Sequence, residues 1–206
     1  MMKKLMALLL GVWMLLTLCS CGKDAPTNTP STVPDDVAQT AEAFIKAYYM
    51  RDYLTQFSLC FHDARRQWED KAIQDLGSEQ NFLALAQKQA NEKGIDVKVD
   101  SFETYYTSYR EFMIADVAQT YGEYTLTVTS TGCTKMDDGK LKEFCNGLLS
   151  GAAKDYLHAG DLRAITDAYT VSVNIVIDGE KKSYNETYFV YLVNHQGNWL
   201  VADHTS

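Results

Sequence analysis

The chain has 206 residues, 46% hydrophobic and 12% aromatic, with 27 acidic against 19 basic side chains and a formal charge of −8. That length and apolar content are enough for one ordinary domain with its own core. The acidic balance repels phosphate backbones, which argues against nucleic acid as a partner.

At the N-terminus, Lys3 and Lys4 precede an apolar run from Leu5 to Leu18. This is the order of a secretory signal, and the run is shorter than the roughly 20 apolar residues of a membrane-spanning helix. The segment that follows, Leu18-Cys19-Ser20-Cys21, resembles the lipobox of bacterial lipoproteins, with Cys19 standing where Ala, Ser, Thr or Val is usual. The resemblance implies a signal peptide over 1–20, cleavage before Cys21, a diacylglyceryl group on Cys21 and an extracytoplasmic, membrane-anchored protein. Two acyl chains give stable anchoring where one gives only marginal binding. Loss of Lys3 and Lys4 with the signal lowers the formal charge to −10.

All three prolines, Pro26, Pro30 and Pro34, fall among Thr, Ser and Asn residues in 21–34. Such a stretch cannot bury a core; as an extended linker it spans on the order of 40 Å. A single domain is expected over 35–206.

In that domain, Asp35 and Asp36 can cap a helix carrying Val37, Ala41, Phe44, Ile45 and Tyr48 at helical spacing. A second helix is predicted from Asp63 to Leu76, stopped by Gly77, and a third from the cap Ser78 to Gly94. Ile95, Val97 and Val99 then alternate with polar residues, and β-favouring Thr and Tyr continue to Tyr109, so strand is expected there. The ambiguous stretch 111–120 is also read as strand. Tyr124 to Ser130 alternates more clearly, and a further helix is expected over 137–160, with Leu141, Phe144, Leu148 and Leu149 on its stripe.

The end of the chain reads as two consecutive hairpins. Tyr169 to Ile177 alternates up to Asp178-Gly179, a two-residue turn signal; a return strand covers 181–193, and Gly197 lies in the turn before a last strand over 199–203. Helices followed by a curved antiparallel sheet, closed by Gly197-Asn198-Trp199-Leu200-Val201, resemble the nuclear-transport-factor-2-like (cystatin-like) α+β fold. In that family the helices lie across the concave face of the sheet, and the space between is core or an apolar cavity. The 137–160 helix departs from the minimal pattern as an insertion or extra cover.

No catalytic or metal constellation is legible. The four histidines have no ligand spacing, and His195 and His204 read as solvated. Cys60-Phe61-His62-Asp63 collects catalytic residue types, but nucleophile, base and orienter normally converge from distant segments. No phosphate loop, dinucleotide fingerprint or calcium loop is present, and no cofactor is expected. Of the odd set Cys60, Cys133 and Cys145, the near pair Cys133–Cys145 is the candidate disulfide; all three also fit as small buried hydrophobes.

The 13 tyrosines suit either a pocket wall or the faces of strands. Tyr48, Trp68, Tyr105, Tyr188 and Trp199 are singled out as candidate pocket or interface aromatics. The expected role is a non-catalytic binding module of the cell envelope, holding a small apolar ligand, a peptide or another envelope protein, with oligomeric state open. The resemblance also admits an isomerase- or cyclase-like enzyme, with Asp116 or Glu186 beside Tyr48 or Tyr188, and a scaffold piece of a secretion or conjugation system. The expectation is that no buried acid–tyrosine pair occupies a pocket.

Overall fold

The computed structural model describes residues 33–151, 153–157 and 161–206. The signal segment, Cys21 and nearly all of the proline-rich stretch lie outside the described residues, as does His158. The chain is α+β: helices come first and a four-stranded antiparallel sheet, curved and unclosed, follows in the order β1-β2-β3-β4. The arrangement is consistent with the nuclear-transport-factor-2-like one.

Helix α1, Asp35–Met50, lies across the sheet. Its cap is Pro34 rather than an aspartate, and Asp36 accepts from the Val37 N–H and from Trp199 Nε1 at 2.8 Å. Val37, Ala41, Phe44 and Ile45 are buried against Val171, Val173, Ile175, Val190, Leu192 and Val201, so the main core fills the concave face.

A short helix missed in the sequence, α2 (Tyr53–Ser58), is capped by Asp52. Helix α3 (Ala64–Leu76) is capped by Asp63, where the sequence started the helix itself, and ends on a left-handed Gly77; α4 (Glu79–Glu92) keeps its expected cap, Ser78.

The strand reading of 95–120 is overturned. Residues 95–100 belong to no helix or strand; the side-chain amide of Gln87 holds them, donating to Val97 O and accepting from Val99 N. A 20-residue helix, α5 (Phe102–Tyr121), follows. Ser101 and Thr104 form a capping box at its start, and Phe102, Tyr105, Tyr106 and Phe112 recur at helical spacing on its buried face. Packing of that stripe outweighs the β-preference of Tyr and Thr. Phe102, Tyr105 and Tyr106 join Tyr53, Phe57, Trp68 and Phe82 in a second core between helices.

Strands β1 (Tyr124–Lys135), β2 (Ile165–Gly179), β3 (Ser183–His195) and β4 (Asn198–Thr205) form the meander. The β2–β3 turn is not two residues at Asp178-Gly179: Asp178 still pairs with Ser183, and Gly179 pairs with Tyr124. Gly179 serves close approach instead, since a Cβ there would lie 2.6 Å from Tyr121 O. The second turn, Gln196-Gly197, has positive φ at both residues and joins His195 directly to Asn198.

Helix α6 (Asp138–Ser150) ends ten residues before the expected Gly160. Its Leu141, Phe144 and Leu148 pack on Ala168, Val193 and Ala202, which alternate away from the concave face, so it is the extra cover. No disulfide joins Cys133 to Cys145. Cys133 is in the concave-face core, while Cys145 belongs to α6 over the other face. Among the described residues, no helix is long and apolar enough to cross a membrane.

Candidate functional site

The last strand is irregular at its middle. Leu192 pairs with Val201 and Tyr191 with Asp203, leaving Ala202 as an extra residue, a β-bulge. Simple alternation from Val201 would put Asp203 inward. The bulge instead brings both Val201 and His204 onto the concave side, opposite Leu192 and Val190. His204 is therefore buried, 6% exposed, and not solvated as its place near the chain end suggested. Its ring lies edge-on to Phe44 at 5.0 Å and to Tyr48 at 4.6 Å between centroids. Burial, and then the proximity of His62, push its pKa down to about 4, so it is neutral at pH 7.

Alongside this strand runs the segment between α2 and α3. Val201 N donates to Leu59 O and Phe61 N donates to Val201 O, which seats Cys60 and His62 next to β4. Beyond it, α3 and the 3-10 turn Lys154–Tyr156 close around a cavity of about 340 Å³. Its apolar walls include Phe44, Tyr53, Phe57, Trp68, Tyr156 and Val201. Its polar lining includes Gln56, His62, Asp203 and His204.

These polar groups have distinct states. Half-buried Asp203 has its carboxyl pushed up to about 6 by burial, opposed by a hydrogen bond from the His204 N–H at 2.8 Å. His62 is lowered by burial, against a raising hydrogen bond with Gln67 and the charge of Asp63. Gln56 is 7% exposed, and its Oε1 is buried with no hydrogen-bond partner. The Cys60 thiol donates to the Gln56 carbonyl, and burial pushes its pKa up to about 12. It is therefore no thiolate nucleophile at neutral pH, and Asp63 is occupied capping α3. The Cys60–Asp63 run thus lends two side chains to the cavity but forms no triad.

At the rim, Tyr156 donates to Asp70 at 3.2 Å, and Arg66 lies 3.6 Å from the same carboxylate. This acid–tyrosine pair is exposed. Lys71, which also lines the cavity, is ion-paired with Asp75.

Of the five aromatics singled out in the sequence, Trp68 alone is among the residues lining this cavity. Tyr105 stacks behind it at 5.5 Å. Trp199 is held by Asp36 and stands edge-on to Tyr169. Tyr48 and Tyr188 do meet, at 5.8 Å, on the concave face. There Glu186, opposite Ile175, accepts from Tyr188 at 2.9 Å and from Tyr184. Burial, then the Glu186 hydrogen bond, raise the Tyr188 hydroxyl pKa. A Glu186–Tyr188 pair, one of the candidates that the enzyme alternative would use, is thus present, half-buried in the concave-face packing and apart from the cavity lining. Asp116 is not near it; it pairs with Lys93 at 2.9 Å. His195 is half-buried against Phe61 at 5.5 Å and not in open solvent.

Among the described residues, no cluster of three or more His, Cys, Asp or Glu side chains is placed to hold a metal ion. Comparisons with family models, with curated proteins and with solved structures return no match.

Proposed function

We propose that this chain is a lipid-anchored, extracytoplasmic binding protein of the bacterial envelope, whose domain holds a small, largely apolar ligand without transforming it. The observation that carries the binding reading is the cavity of about 340 Å³ between α2, α3 and β4. It falls in the roughly 300–1,000 Å³ range of small-molecule sites, and ring faces form most of its named walls. The anchor rests on the sequence Leu18-Cys19-Ser20-Cys21.

One observation favours an acid–base enzyme as the second reading: Asp203, with its carboxyl pushed up to about 6, beside His204 in the same cavity. A proton-transfer site also needs a donor aimed at the substrate from across the pocket. The tyrosine hydroxyl that meets a carboxylate at this cavity, Tyr156, is engaged with Asp70 in solvent at the rim. Binding without chemistry is therefore the preferred reading.

Titration calorimetry of the full chain in a mild detergent, blanked against micelles, tests the cavity with 2-naphthylmethanol as the probe. One site is expected in the wild type, and Ala64→Trp, which fills the cavity mouth, should abolish it. Equal binding by both proteins would overturn the reading. For the anchor, Cys21→Ala is expected to leave unprocessed precursor or protein that no longer partitions into detergent.

A further inference from the structure

The charges around the cavity are unequal. Asp70, Asp155 and Asp203 line it against the single cation Lys71, and Lys71 is already taken by Asp75. Asp70 has Arg66 and Tyr156. Asp203 accepts the N–H of the next residue, and among the described residues it has no ion pair with a Lys, Arg or His. Both imidazoles in the lining, His62 and His204, are pushed toward the neutral form by burial and supply no compensating charge. A half-buried carboxylate with no positive charge beside it is costly in the empty protein, and a ligand that brings that charge recovers part of the cost. The walls are aromatic, and ring faces attract cations.

We propose that the cavity selects an organic cation: an amine-bearing molecule with a ring-sized apolar body, its ammonium on the Asp203 carboxylate and its body against Phe57, Trp68 and Tyr156. This deepens the binding reading above and rests on it. Anionic ligands are rejected by the same carboxylates, and neutral ones of equal shape bind more weakly because they bring no positive charge to Asp203.

The test uses three probes of one shape on the full chain: 2-naphthylmethylammonium, 2-naphthylmethanol and 2-naphthoate, each titrated calorimetrically. The cation is expected to bind at least about tenfold more tightly than the alcohol, the scale of one hydrogen bond to a charged group, and the carboxylate to show no binding. Asp203→Asn should bring the cation-to-alcohol ratio close to one. A wild-type measurement at pH 5.0 against pH 7.5 gives the same information without substitution, since the ammonium is charged at both. Asp203 protonates between them; the titratable and charged groups that share the lining with it are His204 on its own strand, His62 before α3, Asp70 and Lys71 on α3 and Asp155 in the 3-10 turn. The ratio should fall at pH 5.0. Failure of all three probes to bind would overturn the binding reading itself. Binding of alcohol and cation with equal affinity would leave that reading standing and overturn the cation preference. A ratio unchanged by both Asp203→Asn and low pH would remove Asp203 from the assignment.

Discussion

Glu42 on α1 grips Ser130 on β1 twice, accepting from its backbone N–H at 2.7 Å and from its hydroxyl at 2.8 Å. The contact sits where the β1–β2 register shifts between Ser130 and Gly132, so a side chain takes an N–H at the point of irregular pairing. Glu42→Ala leaves both donors without this acceptor in a half-buried setting. It should lower the unfolding free energy by about 2 kcal/mol, read from urea midpoints, while Glu42→Gln should lose about half as much. Equal stability of all three proteins would remove this contact from the forces that set the register.

Gly179 and Gly197 make a second, internally controlled prediction. An alanine Cβ at Gly179 would stand 2.6 Å from the Tyr121 carbonyl and 2.7 Å from its Cβ, so the end of α5 must move away from β2. Gly179→Ala should cost about 2–3 kcal/mol as overpacking. Gly197 has open space around it and only its φ of +87° against substitution. Gly197→Ala should therefore cost about 1 kcal/mol. Reversal of this order would contradict the close approach of α5 to the sheet.

Stability should respond to pH in opposite senses through two neighbouring residues. His204 has its pKa lowered from 6.5 to about 4, so the unfolded chain takes up that proton first. Its contribution is complete above pH 6.5 and is lost as pH falls toward 4, by roughly 3 kcal/mol at most. Asp203 has its pKa raised from 3.8 to about 6, so the folded form holds that proton longer. Its contribution is complete below pH 3.8 and is lost as pH rises through 6. The two slopes oppose each other between pH 4 and 6. Relative to wild type, Asp203→Asn should make stability climb more steeply with pH in that window, and His204→Leu should make it climb less or fall. Parallel pH profiles for all three proteins would refute the burial of this pair.

The unpartnered Oε1 of Gln56 gives a fourth prediction. Gln56→Met keeps the length of the side chain and removes the buried carbonyl, so the ligand-free protein should gain about 1 kcal/mol of stability. Thermal melts in the absence of ligand measure it. Loss of stability would mean that the Gln56 amide is held by contacts that offset its burial.

Much of the architecture is legible in the sequence because its signals are local. Helices α1, α3 and α4 follow from apolar residues at spacings of three and four, with the end of α3 also marked by Gly77 and the start of α4 by the cap Ser78. Helix α5 was legible and misread: Tyr and Thr favour strands, but Ser101 and Thr104 mark a helix start, and Phe102, Tyr105, Tyr106 and Phe112 fall on one helical face. The candidate site is a different matter. Its residues come from α1, α2, α3, the turn at Lys154–Tyr156 and β4, which no spacing connects. Its buried histidine depends on the bulge at Ala202, and alternation read from the chain puts the wrong neighbour inside.

The segment Leu59–Phe61 along β4 has a consequence for the behaviour of the whole molecule among its own copies. By exchanging backbone hydrogen bonds with Val201, it lays a length of chain over one border of the sheet. On the other border, β1 pairs with β2 alone. A sheet border with free backbone groups invites strands from other molecules, and covering it blocks that route to aggregation. At high local concentration such encounters are frequent, and the bonds to Val201 make the β4 border less open to them than the β1 border.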